Sequence, residues 1–292
     1  MSLCTLCPRR CGVDRKTVTG VCRAPAEILV ARAAPHFGEE PCLSGERGAG
    51  TVFFAGCPLG CVYCQNFALS RAREGKAVSV ERLAQIFREL EAQGVHCLDL
   101  VTGTQYTPAI LAALSLAKPT IPVVWNSSGY ESVETVRALS QSIDVFLPDM
   151  KYALPAVAAR YSRAGDYPEV AKAAIVEMVR QTGPFQLSED GMLTRGVLIR
   201  HLILPGQVEN TRRVIEWVSE TFAPDEVMFS LMAQYTPCGE LSRYPELSRR
   251  ITAEEWDAAL EALDASDIEN GFVQEREAAG EDAIPAFDGT GV

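Results

Sequence analysis

The segment GCPLGCVYCQN, residues 56–66, holds three cysteines within eight positions: Cys57, Cys61 and Cys64. A structural zinc site needs four ligands in a closed tetrahedron, and this segment supplies three thiols. His36 and Cys42 precede it and could supply a fourth ligand. An iron–sulfur cube bound by three cysteines would instead leave one iron free to hold a substrate or cofactor. The spacing therefore indicates a metal centre, either closed by a distant ligand or open.

Length and composition restrict the class of protein. The chain has 292 residues, of which 47% are hydrophobic, so we expect one large core with small attachments. No window approaches the ~18 continuous apolar residues of a membrane span. The N-terminal MSLCTLCPRRCG has cysteines and arginines where a signal peptide would be apolar. We expect a cytoplasmic protein without membrane partners, in which closely spaced cysteines bind metal rather than form disulfides.

The formal net charge of −11 belongs to the C-terminal tail. Residues 251–292 carry 12 acidic side chains and one arginine, which leaves residues 1–250 electrically balanced. We therefore expect no nucleic-acid partner. Residues 246–292 are predicted to be an acidic tail, partly helical or disordered, with AEEWDAALEALDA as its short helix.

Six strand-like apolar runs alternate with helix-like periodic segments. These runs are TVFFAG (51–56), CLDLVTG (97–103), IPVVWNSSG (121–129), DVFLPDMK (144–151), GVLIRHLILPG (196–206) and EVMFSLMAQY (226–235). Runs that are apolar on both faces and alternate with helices predict a parallel sheet covered by helices. Either a partial barrel or a doubly wound sheet would satisfy this pattern.

Polar residues gather where each of these strands ends. The six groups are Gly56 and Cys57; Thr102, Gly103, Thr104 and Gln105; Asn126, Ser127 and Ser128; Asp149, Met150 and Lys151; His201 with Pro205 and Gly206; and Gln234 and Tyr235. Parallel α/β barrels build their active sites at the carboxyl ends of the strands. The six groups therefore predict a single pocket on one rim.

The C-x3-C-x2-C spacing after the first strand, with Tyr63 before the last cysteine, resembles the signature of the radical S-adenosylmethionine (SAM) enzymes. The resemblance implies an α/β fold, a partial (β/α)6 barrel over residues 49–245, with an N-terminal cysteine-rich metal-binding module at 1–48. The three cysteines would bind a [4Fe–4S] cluster whose fourth iron chelates SAM. Reductive cleavage of SAM would then yield a 5′-deoxyadenosyl radical that abstracts hydrogen from a substrate.

The same resemblance assigns roles to the rim residues. The sequence VTGTQ stands where the family usually has a Gly-Gly-Glu turn. Either Arg200 or His201 should face the interior, because neighbouring residues of a strand point to opposite faces. We expect cofactor contacts from Tyr63, Thr102, Gly103, Thr104, Asn126, Ser128, Asp149 and Gln234, and catalytic roles for Lys151 and His201.

Within the superfamily, the chain is similar to the pyruvate formate-lyase activating enzymes over roughly residues 4–240. The branch implies hydrogen abstraction from a protein or peptide, with glycyl-radical activation as one form, and a one-electron donor such as flavodoxin or ferredoxin. The chain departs from those activators at TGTQ and at Asn126, where they tend to have Asp. The alternatives are a mutase or lyase acting on a small molecule, and an iron–sulfur or zinc carrier without catalysis.

A second group of cysteines lies in CTLCPRRCGVDRKTVTGVC, and it comprises Cys4, Cys7, Cys11 and Cys22. Four thiolates saturate a metal, so we expect a closed site that holds zinc or a second [4Fe–4S] cluster. The following segment, HFGEEPCLSGERGAG, carries Glu39 and Glu40. If it lies over the barrel mouth, either carboxylate could act as an acid, a base or a ligand.

Overall fold

A computed structural model of the chain describes residues 3–72, 74–239, 241–274 and 285–292. The strands are β1 (Ile28–His36), β2 (Ala49–Phe54), β3 (Lys76–Val78), β4 (Leu98–Val101), β5 (Val123–Ser127), β6 (Val145–Pro148), β7 (Gln186–Leu187), β8 (Leu193–Leu202), β9 (Met228–Met232) and β10 (Gly271–Val273). The α-helices are α1 (Pro41–Ser44), α2 (Val80–Ala92), α3 (Thr107–Ala117), α4 (Val133–Ala138), α5 (Pro155–Ser162), α6 (Tyr167–Thr182), α7 (Val208–Thr221) and α8 (Ala253–Asp264).

The strands form one mostly parallel sheet in the order β10-β9-β8-β6-β5-β4-β2-β1-β3, with β7 paired to β8. The six predicted strands are β2, β4, β5, β6, β8 and β9, and they lie side by side in chain order. Along the described strands, β3 and β10 stand at the two ends of this order. The sheet therefore stays open as a partial barrel, which confirms the predicted fold class.

Burial on both faces explains why the parallel strands read as continuous apolar runs. Every residue of β2, β4, β5, β6 and β9 is buried. Helices cover the outer face, as α2 does with Leu83, Ile86, Phe87 and Leu90. The inner face meets the polar groups that follow each strand. The described ranges include no helix with the length and apolar character that crossing a bilayer requires.

The N-terminal segment extends this sheet. Strand β1 pairs antiparallel with β2 and β3, so residues 28–36 of the predicted module are continuous with the barrel sheet. The division of the chain at residues 48 and 245 stays a prediction. The helix predicted in the tail is present as α8, and Thr252 and Glu255 form a reciprocal capping box at its start.

Residues 285–292 return to the N-terminal edge of the sheet and lie beside β1. Gly289 donates its amide hydrogen to the carbonyl of Ala31 and Ala33 donates to the carbonyl of Thr290, each at 2.9 Å. Phe287 packs edge-on against Phe53, with ring centroids 5.3 Å apart. The prediction that part of the tail is disordered also covers residues 275–284. These lie outside the described residues.

The close approach at Gly291 gives a test of this docking. Gly291 has φ +75°, and a Cβ there would stand 1.9 Å from the carbonyl oxygen of Ala33. We expect Gly291→Ala to detach the segment and to accelerate hydrogen exchange of the Ala33 amide at least tenfold. Gly94→Ala is the matched control, because Gly94 has φ +79° with open space around it. Equal exchange at Ala33 in both variants would contradict the docking.

Candidate active site

A cavity of about 230 Å³ lies at the carboxyl ends of the parallel strands. Each of the six predicted groups or their neighbours reaches it: its lining includes Cys57, Cys61, Cys64, Thr102, Asn126, Ser128, Asp149, Lys151, Arg200 and Gln234. His36, Glu39, Asn66 and Pro285 complete the mouth from outside the six strands. The prediction of a single rim pocket is confirmed by this arrangement.

Cys57, Cys61 and Cys64, here called the cavity cysteines, all face the cavity from the loop that follows β2. Ser162 donates a hydrogen bond to the sulfur of Cys61 at 3.1 Å, and Ser70 donates to that of Cys64 at 3.4 Å. Arg71 donates to the carbonyl of Gly60, which turns the loop with φ +66°. Hydrogen bonds to sulfur and a fixed loop are typical of thiols that bind an iron–sulfur cluster.

Burial favours the protonated form of the Cys57 and Cys64 thiols. Burial and the neighbouring Cys61 raise the pKa of Cys57, and burial with the charges of Cys57 and Cys61 raises the pKa of Cys64 to about 12. A cationic cluster would reverse this preference, because it stabilises thiolates directly. Two buried thiols and one partly buried thiol that line the same polar cavity therefore fit a [4Fe–4S] cluster, with the rest of the lining left for SAM and a substrate.

Tyr63 lines the cavity but chiefly fixes the cysteine loop. It is 5% exposed, and its hydroxyl donates to that of Tyr152 at 2.8 Å. Tyr152 in turn hydrogen-bonds Ser162, the donor to Cys61. The ring of Tyr63 packs edge-on against Tyr235, with centroids 6.0 Å apart. The hydrogen-bonded hydroxyls of Tyr63, Tyr152 and Ser162 thus connect the loop after β2 to the residues that follow β6.

An ionic network of largely buried side chains forms another part of the cavity wall. Arg200 donates from Nε to Oδ1 of Asp149 at 2.9 Å and from Nη2 to Oδ1 of Asn126 at 2.7 Å. Its Nη1 donates to Oε2 of Glu39 at 3.0 Å. The ammonium of Lys151 donates to the second oxygen of Asp149 at 2.7 Å. Burial alone would raise the pKa of Asp149, but Arg200 and Lys151 hold it below its ordinary value.

Behind this wall, acidic groups outnumber their cationic partners. Glu40 lies 3.8 Å from Arg200, and Asp99 accepts hydrogen bonds from Asn126 at 3.3 Å and Thr51 at 3.4 Å. Glu39 and Asp99 lie close enough for their charges to interact. Burial, followed by the charge of Glu39, raises the pKa of Asp99 well above its ordinary value, and burial also raises the pKa of Glu39. This carboxyl pair is therefore able to hold a proton at the cavity.

Arg200, and not His201, faces the cavity, which corrects the predicted catalytic role of His201. His201 is fully buried, with Nδ1 2.7 Å from the carbonyl oxygen of Met150 and Nε2 3.0 Å from the hydroxyl of Thr211. Burial lowers its pKa to about 4. Strand alternation sends neighbouring side chains to opposite faces, so only one of the two could line the site.

Two residues of the TGTQ turn also point away from the cavity. Thr104 donates to the buried carboxylate of Glu131 at 2.6 Å, and Gly103 packs against Trp125. Thr102 lines the cavity, with φ +60°. Gly103 and Thr104 are not among the lining residues, because Trp125 and Glu131 occupy their surroundings, so their predicted cofactor contacts stay predictions.

Gln105 shows why this turn departs from the expected pattern. Its amide nitrogen donates to the carbonyls of Ala55, Gly56 and Thr102, at 3.1, 3.1 and 2.7 Å. The side chain thus ties the end of β2, just before Cys57, to the turn after β4. Sequence reasoning missed this function of Gln105. It also missed Asp99, although an aspartate inside an apolar run is itself a signal of a buried polar role.

Cys4, Cys7, Cys11 and Cys22 are here called the N-terminal cysteines. The carbonyl of Cys22 accepts the amide hydrogen of Cys57 at 3.1 Å, so this group lies directly against the cavity loop. Arg9 also clamps the two segments, with hydrogen bonds to the carbonyls of Pro58 and Leu59. Among the described residues, no three His, Cys, Asp or Glu side chains are arranged to hold one metal ion. The metal at this group stays a prediction.

The structural placement of His201 predicts a pH-dependent stability. The folded state keeps the imidazole neutral down to about pH 4, whereas the unfolded chain protonates it near pH 6.5. The stability of the fold should therefore fall between pH 7 and pH 5, by about 2 kcal/mol from this group. Urea unfolding at both pH values measures the loss.

His201→Gln isolates this contribution, because carboxyl groups titrate in both proteins and cancel in the comparison. We expect the free energy of unfolding of the variant to fall less between pH 7 and pH 5 than that of the wild type, by most of the amount assigned to His201. His96→Gln is the control, since His96 is only partly buried. If the free energy of unfolding of His201→Gln depends on pH as in the wild type, the imidazole is not held neutral in the core.

Comparison with known proteins agrees with this geometry. Residues 51–218 match the model of the radical SAM superfamily. The chain is 30% identical over 276 residues to the uncharacterised protein MJ0674 of Methanocaldococcus jannaschii, covering 91% of this chain and 75% of that protein. A crystal structure of methylornithine synthase (PylB) aligns with 91% of this chain and 74% of its own, at 12% identity and TM-score 0.43, a likeness too low to bear on function. The chain belongs to the radical SAM superfamily.

Proposed function

We propose that this protein is a radical SAM enzyme that abstracts hydrogen from a protein or peptide substrate. The observation that carries the proposal is the joining, in one cavity, of the cavity cysteines and the charged wall of Asp149, Lys151 and Arg200. When bound, the [4Fe–4S] cluster and SAM supply the 5′-deoxyadenosyl radical that abstracts hydrogen. The residues of the chain bind, orient and shield these groups.

Lys151 is the residue best placed to bind the carboxylate of SAM. Its ammonium donates to Asp149 at 2.7 Å, and Lys151 lines the same cavity as Cys61. Burial disfavours the charged form of Lys151, but Asp149 raises its pKa above the ordinary value. The ammonium is therefore charged at neutral pH and available as a donor beside the cavity cysteines.

The other polar residues of the rim divide into two groups. Asn126 is already occupied, because it accepts from Arg200 and donates to Asp99. It therefore positions the wall rather than binding the cofactor directly. Ser128 and Gln234 line the cavity from the ends of β5 and β9 and are able to bind the polar groups of the nucleoside. Thr102 also lines the cavity, but its amide donates to the carbonyl of Asn126 and its carbonyl accepts from Gln105.

Two exposed aromatic side chains support a polypeptide substrate. Phe37 is 64% exposed and lies in the chain between the cavity-lining residues His36 and Gly38. Phe67 is 44% exposed and follows the lining residue Asn66. Exposed aromatic groups beside a cavity are typical of sites that receive another macromolecule. The resemblance to glycyl-radical activating enzymes agrees with this class of substrate.

A second candidate is a mutase or lyase acting on a small molecule, and the Glu39–Asp99 pair favours it. Glu39 lines the cavity, and after burial its charge is the next cause that raises the pKa of Asp99, so the pair could give or take a proton during a rearrangement. Hydrogen abstraction from a peptide backbone needs no such group. The two candidates therefore differ in what Glu39 does.

The enzyme class is tested by the formation of 5′-deoxyadenosine under anaerobic conditions. Protein reconstituted with iron and sulfide is mixed with SAM and a strong reductant, and the product is quantified by chromatography. We expect Cys57→Ala to abolish the product, because two thiols would remain for the cluster. Cys42→Ala is the matched control, since Cys42 is equally buried but lies outside the cavity lining. Product from Cys57→Ala equal to that of the control would contradict the proposal.

The substrate class is tested by the origin of the abstracted hydrogen. A deuterated cell extract is separated into macromolecules and a small-molecule filtrate, and each is added to the loaded enzyme. Deuterium in 5′-deoxyadenosine, detected by mass spectrometry, should come from the macromolecular fraction and should fall at least fivefold in Phe37→Ala/Phe67→Ala. Deuterium from the filtrate, with loss in Glu39→Gln and no effect of the phenylalanine changes, would establish the small-molecule candidate.

A further inference from the structure

We propose that residues 285–292, here called the C-terminal strap, occupy the docking groove of the polypeptide substrate, which must displace them in order to react. The inference rests on the proposed function, because it names the surface on which that polypeptide would bind. It assigns to the substrate an extended segment in which an acidic side chain follows an aromatic one. It also makes the C-terminal strap an autoinhibitory element of the same chain.

The first support is the edge of the sheet along which the C-terminal strap lies. Strand β1 pairs with β3 through residues 28–30. Farther along β1, the carbonyl of Ala31 and the amide of Ala33 bind Gly289 and Thr290 of the strap instead. These are backbone hydrogen bonds, which any extended polypeptide is able to form at a strand edge. The edge is therefore able to receive a chain other than the strap.

The second support is the side chain of Phe287, which lies on the apolar part of the cavity lining. It packs against the cluster that contains Phe53, Leu69 and Val101, and these three residues all line the cavity. Two positions before it in the strap, Pro285 lines the cavity as well. An aromatic anchor on an apolar surface is typical of an interface that receives a polypeptide. The strap therefore covers part of the cavity that holds the cavity cysteines.

The third support is a set of three cationic side chains along the same edge. Arg32 donates to the carbonyl of Ala286 at 3.2 Å and lies 3.5 Å from the carboxylate of Asp288. Lys76 and Arg82 donate to two further carbonyls of the strap, each at 3.2 Å. Contacts to carbonyls hold any backbone, whereas the contact of Arg32 with a carboxylate selects a side chain. The groove therefore favours an acidic residue directly after the aromatic one.

The fourth support is that the contacts of the strap allow exchange with another chain. Its ion pair is exposed, with Arg32 22% and Asp288 59% exposed, and exposed ion pairs contribute little to stability. Ala286, Asp288 and Thr290 are all exposed, so the strap is held mainly on one side. Its attachment to the same chain, however, raises its concentration at the groove. The strap therefore competes with a free polypeptide without excluding it permanently.

A single substitution in the full chain releases the strap. A Cβ at Gly291 would stand 1.9 Å from the carbonyl oxygen of Ala33, so Gly291→Ala displaces the strap and changes no residue of the cavity lining. Phe287→Ala is a second release variant, because it removes the aromatic anchor and creates no clash. Gly94→Ala is the matched control for the first variant, since it places a Cβ in open space. Release is checked by faster hydrogen exchange of the Ala33 amide.

The groove is tested with a fluorescent peptide of the sequence PAFDGTGV, which is that of residues 285–292. Fluorescence anisotropy measures its binding to each protein. We expect the two release variants to bind it at least tenfold more tightly than wild type and Gly94→Ala, in which the attached strap competes with it. Peptides that carry Phe287→Ala or Asp288→Ala should bind the release variants at least fivefold and twofold more weakly, respectively. Binding that is equal in all proteins, or equal for all three peptides, would overturn the groove.

Autoinhibition is tested by the transfer of deuterium from the macromolecular fraction of the extract to 5′-deoxyadenosine. This transfer should rise at least threefold in both release variants, and the free peptide should reverse the rise. Unchanged or lower transfer of deuterium in the release variants would overturn the inference and leave the proposed function in place. If no protein, wild type included, takes deuterium from the macromolecular fraction, the proposed function itself is contradicted.

Discussion

The cavity depends on the burial of one guanidinium group, that of Arg200. The Arg200 side chain extends from β8 and stays protonated. Its N–H groups therefore need oxygen acceptors from the neighbouring chain segments. Glu39 from the segment before α1, Asn126 from β5 and Asp149 from the end of β6 provide them. A buried charge without such partners would cost several kcal/mol. The requirement to satisfy Arg200 therefore fixes the relative positions of three separate walls.

The same network separates the charges that the site uses. Asp149 is held ionised because two cations share it, and Lys151 stays protonated because Asp149 faces it. Burial pushes Glu39 toward the protonated form although Arg200 contacts it at 3.0 Å, and it does the same to Asp99. The wall thus presents an ammonium close to the cavity cysteines and a proton-holding carboxyl pair farther along. Neighbouring acids acquire different states from burial and partners alone.

The N-terminal segment takes part in the site from the other side. Its strand β1 continues the sheet, and its cysteine-rich part lies against the loop that carries Cys57. Arg9 and Gln105 reinforce this seam through backbone carbonyls, which makes the cavity loop part of a shared framework. A segment that looks separable by composition is therefore physically continuous with the barrel.

The sequence by itself determined the six parallel strands, the rim pocket and the three cavity cysteines. Runs buried on both faces, and the spacing of three thiols, are local properties of the chain. It did not decide between Arg200 and His201, because the facing of one strand depends on the twist and packing of its neighbours. The partners of Asp99, the hydrogen bond of Thr104 to Glu131 and the contact of Cys22 with Cys57 were likewise set by tertiary structure. Each joins residues distant in sequence, and burial energies that arise only on folding select those pairs.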